Sequence, residues 1–397
     1  MVQAMQAVQV SRMVKAAPSA AYRLLTADVG FREWLSDGAY AQPRDGGKFL
    51  LTWNSGFAIA GTFETREQDK RVAFTWQVPG EAEVSHIRVD LEPAREGTRV
   101  TVSHEGANAG PNGREAEQGW ETALEILQSV LEKGDDIRFT RRPMLGIVVG
   151  ELNDGIAKRL GLPDAKGIRL DNTMDGMGAR AAGLMKDDVI VKMGGQDTPD
   201  FNGIAAALDG KRAGDTMTVE FWRGGAIQTA QMTLSGRVLP DVPLTAPGLA
   251  DAVQSMFDQI NTELDEVLKG VTEDEASRHP GEGEWNVKDI IAHLTFSERD
   301  TAYYLGTLVS GDETIATLNN LPARVKAFGT LYPTLADARI EYERTQKEFV
   351  EFIRNLPDDF VAHKPTYVRF GQNVLQGALH PQTHFEQIRA AIASARA

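Results

Sequence analysis

The sequence predicts a multidomain protein: an α+β domain in which a curved sheet wraps one long helix, then a small β-rich domain, then an all-α four-helix bundle. Three observations predict it. Residues 1–137 carry short alternating apolar runs that end in one amphipathic stretch, residues 142–237 are glycine-rich with short strand-like runs, and residues 248–397 are helical in period almost throughout. Residues 238–247 hold the prolines Pro240, Pro243 and Pro247 in a short polar stretch and read as a linker.

A chain of 397 residues suits two to four domains. Hydrophobic content of 42% and charged content of 25% are ordinary for globular protein. The formal charge of −14 argues against nucleic acid as a partner, because phosphate binding needs a net basic face. The one dense basic patch is Arg138, Arg141 and Arg142. With no cysteine, the chain excludes disulfides, thiolate metal sites and cysteine nucleophiles, so any sulfur chemistry needs an external thiol. No secretory signal pattern and no apolar run of membrane-spanning length are visible, and the expected location is cytoplasmic, with no membrane partner.

In the first segment, Val8 to Arg12 alternates as a strand and Pro18 to Leu25 reads as a short helix. Strands follow at Lys48 to Trp53, Ile59 to Arg66, Arg71 to Gln77, Ser85 to Glu92 and Thr98 to Glu105, each bounded by Gly, Pro or charged turn residues. Trp120, Leu124, Leu127 and Leu131 recur at helical spacing over Glu115 to Lys133, and Gly134 is a good stop. The phrases Gly61-Thr62-Phe63-Glu64, Arg71-Val72-Ala73-Phe74-Thr75-Trp76, Gly97 to Gly106 and Gly119-Trp120-Glu121-Thr122-Ala123-Leu124 resemble the SRPBCC (START-like) superfamily, in the branch typified by the activator of heat-shock ATPase homology domain. The resemblance implies a helix-grip fold with a deep apolar cavity for a small apolar ligand. Trp53, Phe63, Phe74, Trp76 and Trp120 are the candidates to line it, although burial preferences favour plain core packing for them. His86 and His104 read as structural or surface histidines.

In the middle segment, Arg142 to Ile147 precedes a strand, and Asn172 to Ile190 gives a turn, a short helix, a glycine exit and a buried strand. Phe201 to Leu208 reads as a helix; Thr216 to Arg223, Gly224-Gly225 and Ala226 to Leu234 read as a hairpin. Ala182-Gly183-Leu184, Asp187-Asp188-Val189-Ile190 and Gly194-Gly195 in this order are similar to bacterial PDZ domains of the HtrA-protease type, a β-barrel-like fold. The resemblance implies a groove for a peptide or protein C-terminus, with Met144-Leu145-Gly146-Ile147 as its carboxylate loop and Leu145, Ile147, Ile204 and Leu208 around an apolar pocket. No serine-nucleophile phrase accompanies it, and a spacer or docking role stays open.

In the last segment, Leu249, Val253, Phe257, Ile260 and Leu264 mark a first amphipathic helix. Asn286 can cap a second, with Asp289 at its third position. A third spans roughly Leu335 to Leu356, with Ile340, Phe349 and Ile353 inward, and a fourth runs from about Gln372 to Ala393. His380 and His384 are spaced i, i+4, so one helix face carries both imidazoles, and His293 comes from another helix. Two ligands from one helix and one from its neighbour make an open three-histidine site. Gly283 to Leu294 and His380 to Ile388 resemble the DinB-like (YfiT-type) helical family, which implies a divalent metal on His293, His380 and His384 and chemistry on low-molecular-weight thiols. Zinc, nickel and iron all suit imidazole. Pro381 is awkward, since it removes a helix N–H directly after a ligand. Glu298 rotates away from His293, Tyr303 and Tyr304 suit packing, and His279 and His363 fall in loops, so none is assigned to the site.

Two functions fit. One is a metal-dependent thiol S-transferase of detoxification type with an apolar ligand cavity and a peptide-binding module. The other is a non-enzymatic, stress-related adaptor or chaperone-like regulator with a structural metal.

Overall fold

The structure is a computed structural model and describes residues 7–106, 111, 115–237, 239–281, 283–311, 321–377 and 379–397. The chain forms two compact units: Met1–Asp135 together with Leu239–Ala397, and Asp136–Val238.

The first unit opens with β1 (Ala7–Val14), α1 (Pro18–Leu24), α2 (Asp28–Trp34), β2 (Gly38–Ala41), β3 (Lys48–Thr52), β4 (Ala58–Glu67), β5 (Arg71–Trp76), β6 (Ser85–Ala94), β7 (Gly97–Glu105) and α3 (Ala116–Lys133). The strands form one antiparallel sheet in the order β1-β7-β6-β5-β4-β3-β2. Alternation places Val72, Phe74 and Trp76 of β5 on the buried face, where α3 covers the sheet with Trp120, Leu124, Leu127 and Leu131. This is the sheet-around-helix layer expected from the sequence. The short elements α2 and β2 carry no periodicity long enough to read, and the sequence reading omitted them.

The second unit contains α4 (Ile137–Thr140), β8 (Ile147–Val149), α5 (Asp154–Leu160), β9 (Ile168–Thr173), α6 (Gly178–Ala181), β10 (Val189–Met193), β11 (Gln196–Asp197), α7 (Phe201–Ala207), β12 (Thr216–Arg223) and β13 (Ala226–Thr233). Its sheet follows the path β13-β12-β10-β9-β8, with β11 paired to β10. Met144 and Ser235 form an isolated bridge, yet the ladder does not close into the barrel expected above. The strand β8 is three residues long and ends the path, so its outer edge pairs with no other strand among the described residues.

The rest of the first unit is helical: α8 (Ala246–Leu268), α9 (Glu273–Ser277), α10 (Val287–Val309), α11 (Leu321–Leu331), α12 (Leu335–Arg354), α13 (Asp358–Ala362), α14 (Lys364–Gly377) and α15 (Leu379–Arg396). Leu249, Val253, Phe257, Ile260 and Leu264 of α8 pack with Ile290, Ile291 and Leu294 of α10, Phe349 and Ile353 of α12, and Ile388 of α15 in one core. Ile340 corrects the sequence reading: it is 65% exposed. The inward face of α12 runs through Ala338, Tyr342, Thr345, Phe349 and Ile353, spaced by three and four residues, and Ile340 falls off that stripe. The expected fourth helix falls across α14 and α15, whose bounds lie on either side of residue 378, which is outside the described residues.

Within this unit the sheet domain and the helices share buried contacts. His363 Nε2 donates to Glu33 Oε2 at 3.0 Å, and Thr366 Oγ1 donates to the other oxygen of the same carboxylate, all three residues being buried. Lys364 Nζ donates to the Glu132 carbonyl at 2.9 Å. Gly134 caps α3 at φ 72°, and a Cβ there would lie 2.6 Å from Val368 and 2.8 Å from the Lys364 carbonyl. Only glycine meets both demands, the left-handed backbone and the close approach of α14.

Candidate functional site

Asn286 starts α10 with a reciprocal capping box: its side chain accepts from the Asp289 N–H at 2.9 Å while the Asp289 carboxylate accepts from the Asn286 N–H at 3.3 Å. That fixed start places His293 two turns into the helix, between the buried Ala292 and Leu294. On α15, the buried Phe385 and Ile388 hold the helix against the core, so His380 and His384 turn toward α10. Pro381 lies within α15 directly after His380, and the His380 and His384 rings still reach one point with His293.

The three imidazoles converge. One ligand atom from each of His293, His380 and His384 lies within 4.8 Å of the others. The His380 and His384 Nε2 atoms are 3.1 Å apart, close to the ~3.3 Å edge that ~2.05 Å bonds give in a tetrahedral zinc site. His293 sits with its ring centroid 5.3 Å from that of His380 and 4.9 Å from that of His384. Burial, reinforced by His384 and His380, holds His293 down at about 4. Burial and then His384 lower His380 too. Imidazoles kept neutral in this way offer lone pairs, the form a metal requires.

Three supporting residues escaped the sequence reading. Gln387 Oε1 accepts from His384 Nδ1 at 2.8 Å, which directs the His384 Nε2 lone pair into the cluster. Ser297 Oγ lies 3.5 Å from His380 Nδ1, and the Trp285 ring packs against His293 with centroids 5.0 Å apart. Gln387 was findable, because it stands three residues after His384 on the same helix face; Ser297 and Trp285 required the tertiary fold. Glu298 stays outside the cluster as expected, and burial pushes its carboxyl up to about 7, near Tyr342 of α12.

In the sheet domain, Phe63, Phe74, Trp76 and Trp120 lie in one aromatic chain: Phe63 and Phe74 centroids are 6.3 Å apart, Phe74 and Trp76 6.2 Å, Trp76 and Trp120 5.6 Å. Trp53 stands apart, packed at a tilt against Phe57 and donating to the Leu35 carbonyl. The Trp76 Nε1 atom is buried with no acceptor among the described residues. His104 is a buried structural histidine: Nδ1 accepts from Trp120 Nε1 at 3.1 Å and Nε2 donates to Ser85 Oγ at 2.9 Å. His86 is at the surface beside Glu64.

In the second unit, Met144, Leu145, Gly146, Ile147, Ile204 and Leu208 all line one groove of about 710 Å³. It runs between the unpaired edge of β8 and α7. Gly146 adopts φ 75°, and a Cβ there would meet Met177 at 2.2 Å, so the loop needs glycine. The N–H groups of Leu145 and Gly146 donate to no acceptor among the described residues.

A sheet-and-helix domain and a helical bundle with clustered imidazoles define the class, and comparison with known proteins agrees for these two parts. Residues 15–132 match the family described as Activator of Hsp90 ATPase homolog 1-like protein, and residues 256–389 match the DinB superfamily. A probable periplasmic serine endoprotease DegP-like from Bartonella henselae is 27% identical over 113 residues, 28% of this chain and 22% of that protein. A probable periplasmic serine protease do/HhoA-like from Haemophilus influenzae is 31% identical over 112 residues, 28% of this chain and 23% of that protein. The chain thus spans about a quarter of the length of the curated relatives it matches. The solved Aha1 dimer from Colwellia psychrerythraea is 22% identical, covering 32% of this chain and 97% of its own at a TM-score of 0.28. PFC0360w, an HSP90 activator from Plasmodium falciparum, is 22% identical, covering 32% and 95% at a TM-score of 0.27. No helix among the described residues is long and apolar enough to cross a membrane.

Proposed function

We propose that the helical bundle is the catalytic part of a metal-dependent thiol transferase. Its divalent metal would be held by His293, His380 and His384, and the convergence of their ring nitrogens within 4.8 Å carries this reading. The donor set fits: three imidazoles, of which burial keeps His293 and His380 neutral, no protein thiolate, and a spacing between two Nε2 atoms near that of a tetrahedral centre. A divalent cation with a free coordination position supplies Lewis acidity, which lowers the pKa of a bound thiol and makes it a nucleophile. The chain's own residues keep the site in order. Gln387 fixes the His384 tautomer, and Trp285 shields one side of His293.

The second unit is a peptide-docking module of PDZ type. Its support is the open β8 edge beside α7, the two free N–H groups of the Leu145–Gly146 loop, and the partial likeness to DegP-like proteins. The sheet domain binds a small apolar ligand, and the acceptor-less Trp76 N–H supports a polar contact from that ligand. The match of residues 15–132 to the Hsp90-activator family favours a second reading, a stress-related adaptor whose metal is structural.

Elemental analysis of the purified chain should give about one divalent metal per molecule, and His384→Ala should lower the content severalfold while leaving the circular dichroism spectrum unchanged. A metal-free wild type would end the metal reading. The loaded protein, mixed with glutathione and an electrophile such as monochlorobimane, should turn over faster than free metal; a rate no higher than free metal leaves the adaptor.

A further inference from the structure

The groove beside β8 is lopsided in charge. Its walls include Arg138, Arg141, Arg142, Lys211, Arg212 and Arg237 against one acid, Asp209, in a chain whose net charge is −14. Arg138 is paired with Asp136 at 2.9 Å. Arg142, Lys211, Arg212 and Arg237 have no carboxylate partner among the described residues. Arg237 is held in place by stacking on Phe139, 3.8 Å from the ring centroid, and its buried Nε has no acceptor among the described residues. Like charges gathered around an apolar slot cost energy unless an anion relieves them, and they raise the local concentration of anionic ligands.

We infer that this groove selects chain termini that end in an apolar residue and carry Asp or Glu side chains just upstream. The Leu145, Ile147, Ile204 and Leu208 walls take the apolar side chain, and the flanking cations take the carboxylates. The selectivity rests on the reading of the groove as a peptide site. A protein partner fits better than a nucleic acid, because the slot between the cations is apolar and the rest of the chain is acidic.

The test uses the full-length protein and fluorescein-labelled octapeptides read by polarisation. One peptide is Asp-Glu-Asp-Glu-Ser-Ala-Ala-Val as the free acid. A second has Gln and Asn in place of the acids, and a third is the acidic peptide with an amidated C-terminus. The acidic free acid should bind at least about tenfold more tightly than the neutral one in 50 mM salt, and the ratio should shrink in 500 mM salt. Arg142→Glu with Arg237→Glu should erase the ratio. Lys211→Glu with Arg212→Glu, at exposed positions, should reduce it and covers the case in which the first pair disturbs the fold. Equal affinity for acidic and neutral free acids overturns the charge selectivity and leaves the peptide groove standing. Equal affinity for the acidic free acid and its amide, or tighter binding of a labelled single-stranded DNA, overturns it in favour of general polyanion binding. If neither free acid binds, the peptide-groove reading fails and the selectivity falls with it.

Discussion

His104 carries a neutral imidazole whose two nitrogens are both engaged, between Trp120 and Ser85 under the first sheet. Burial holds it down at about 4, against an ordinary value near 6.5. The unfolded chain therefore binds a proton before the folded one does as pH falls. The stabilisation is full above pH 6.5 and is lost as pH drops toward about 4, by up to about 3 kcal/mol. Urea unfolding at pH 7.5 and 4.5 should show that loss, and His104→Asn should show a distinctly smaller difference between the two pH values. The opposite sign applies to Glu298. Its carboxyl is pushed up to about 7, so the folded state holds the extra proton and loses stability as pH rises from about 4.5 to 7. Glu298→Gln should stabilise the protein by about 1–3 kcal/mol at pH 8 and have little effect at pH 4.5, as measured by urea midpoints. No gain at pH 8 would mean that the carboxylate has a compensating partner.

At the scale of elements, α2 and α14 meet through a buried carboxylate. Glu33 accepts from His363 and Thr366 with essentially no solvent to replace either donor. Removing one partner strands the others, so Glu33→Ala should cost about 3 kcal/mol. Chemical denaturation should show it; a change under ~0.5 kcal/mol would indicate a junction already hydrated. Neither Glu33 nor His363 was marked by the sequence, because their pairing spans 330 residues and follows no periodicity. The features the sequence did reveal share one property: they are local. Apolar spacing identified α3, α8 and α10, the Asn286 and Asp289 pair announced its own helix start, and the i, i+4 histidines declared a shared face. Ile340 misled because Tyr342, Thr345 and Gln346 form a polar inward stripe on α12, where hydrophobicity alone points to the wrong face. Closure of the second sheet was also out of reach, since it depends on how far β8 extends along its neighbour.

At the scale of the whole molecule, the linear order of three segments hides a different organisation. Residues Met1–Asp135 and Leu239–Ala397 build one unit, and Asp136–Val238 is inserted into it. The two ends of that insertion leave from the same helix. Gly134 lies against Val368 and Lys364 of α14, while Val242 occupies the space beside Gly371 and the Pro243 carbonyl accepts from Tyr367. Lys364 and Gly371 are about 10 Å apart along a helix, a gap that a short flexible linker spans easily. Insertions tolerated in this way join surface points that are already close, and the host fold does not need the insert to form. Replacing Asp136–Val238 with a Gly/Ser linker of about eight residues should therefore leave a protein that unfolds in one cooperative transition. Its metal content should equal that of the full chain, because His293, His380 and His384 and their supports Gln387, Ser297 and Trp285 all lie in the host unit. Binding of the acidic peptide should disappear with the groove. Calorimetry and elemental analysis of the shortened chain decide the matter: a broad, non-cooperative transition or a loss of metal would show that the inserted unit is needed to complete the host fold.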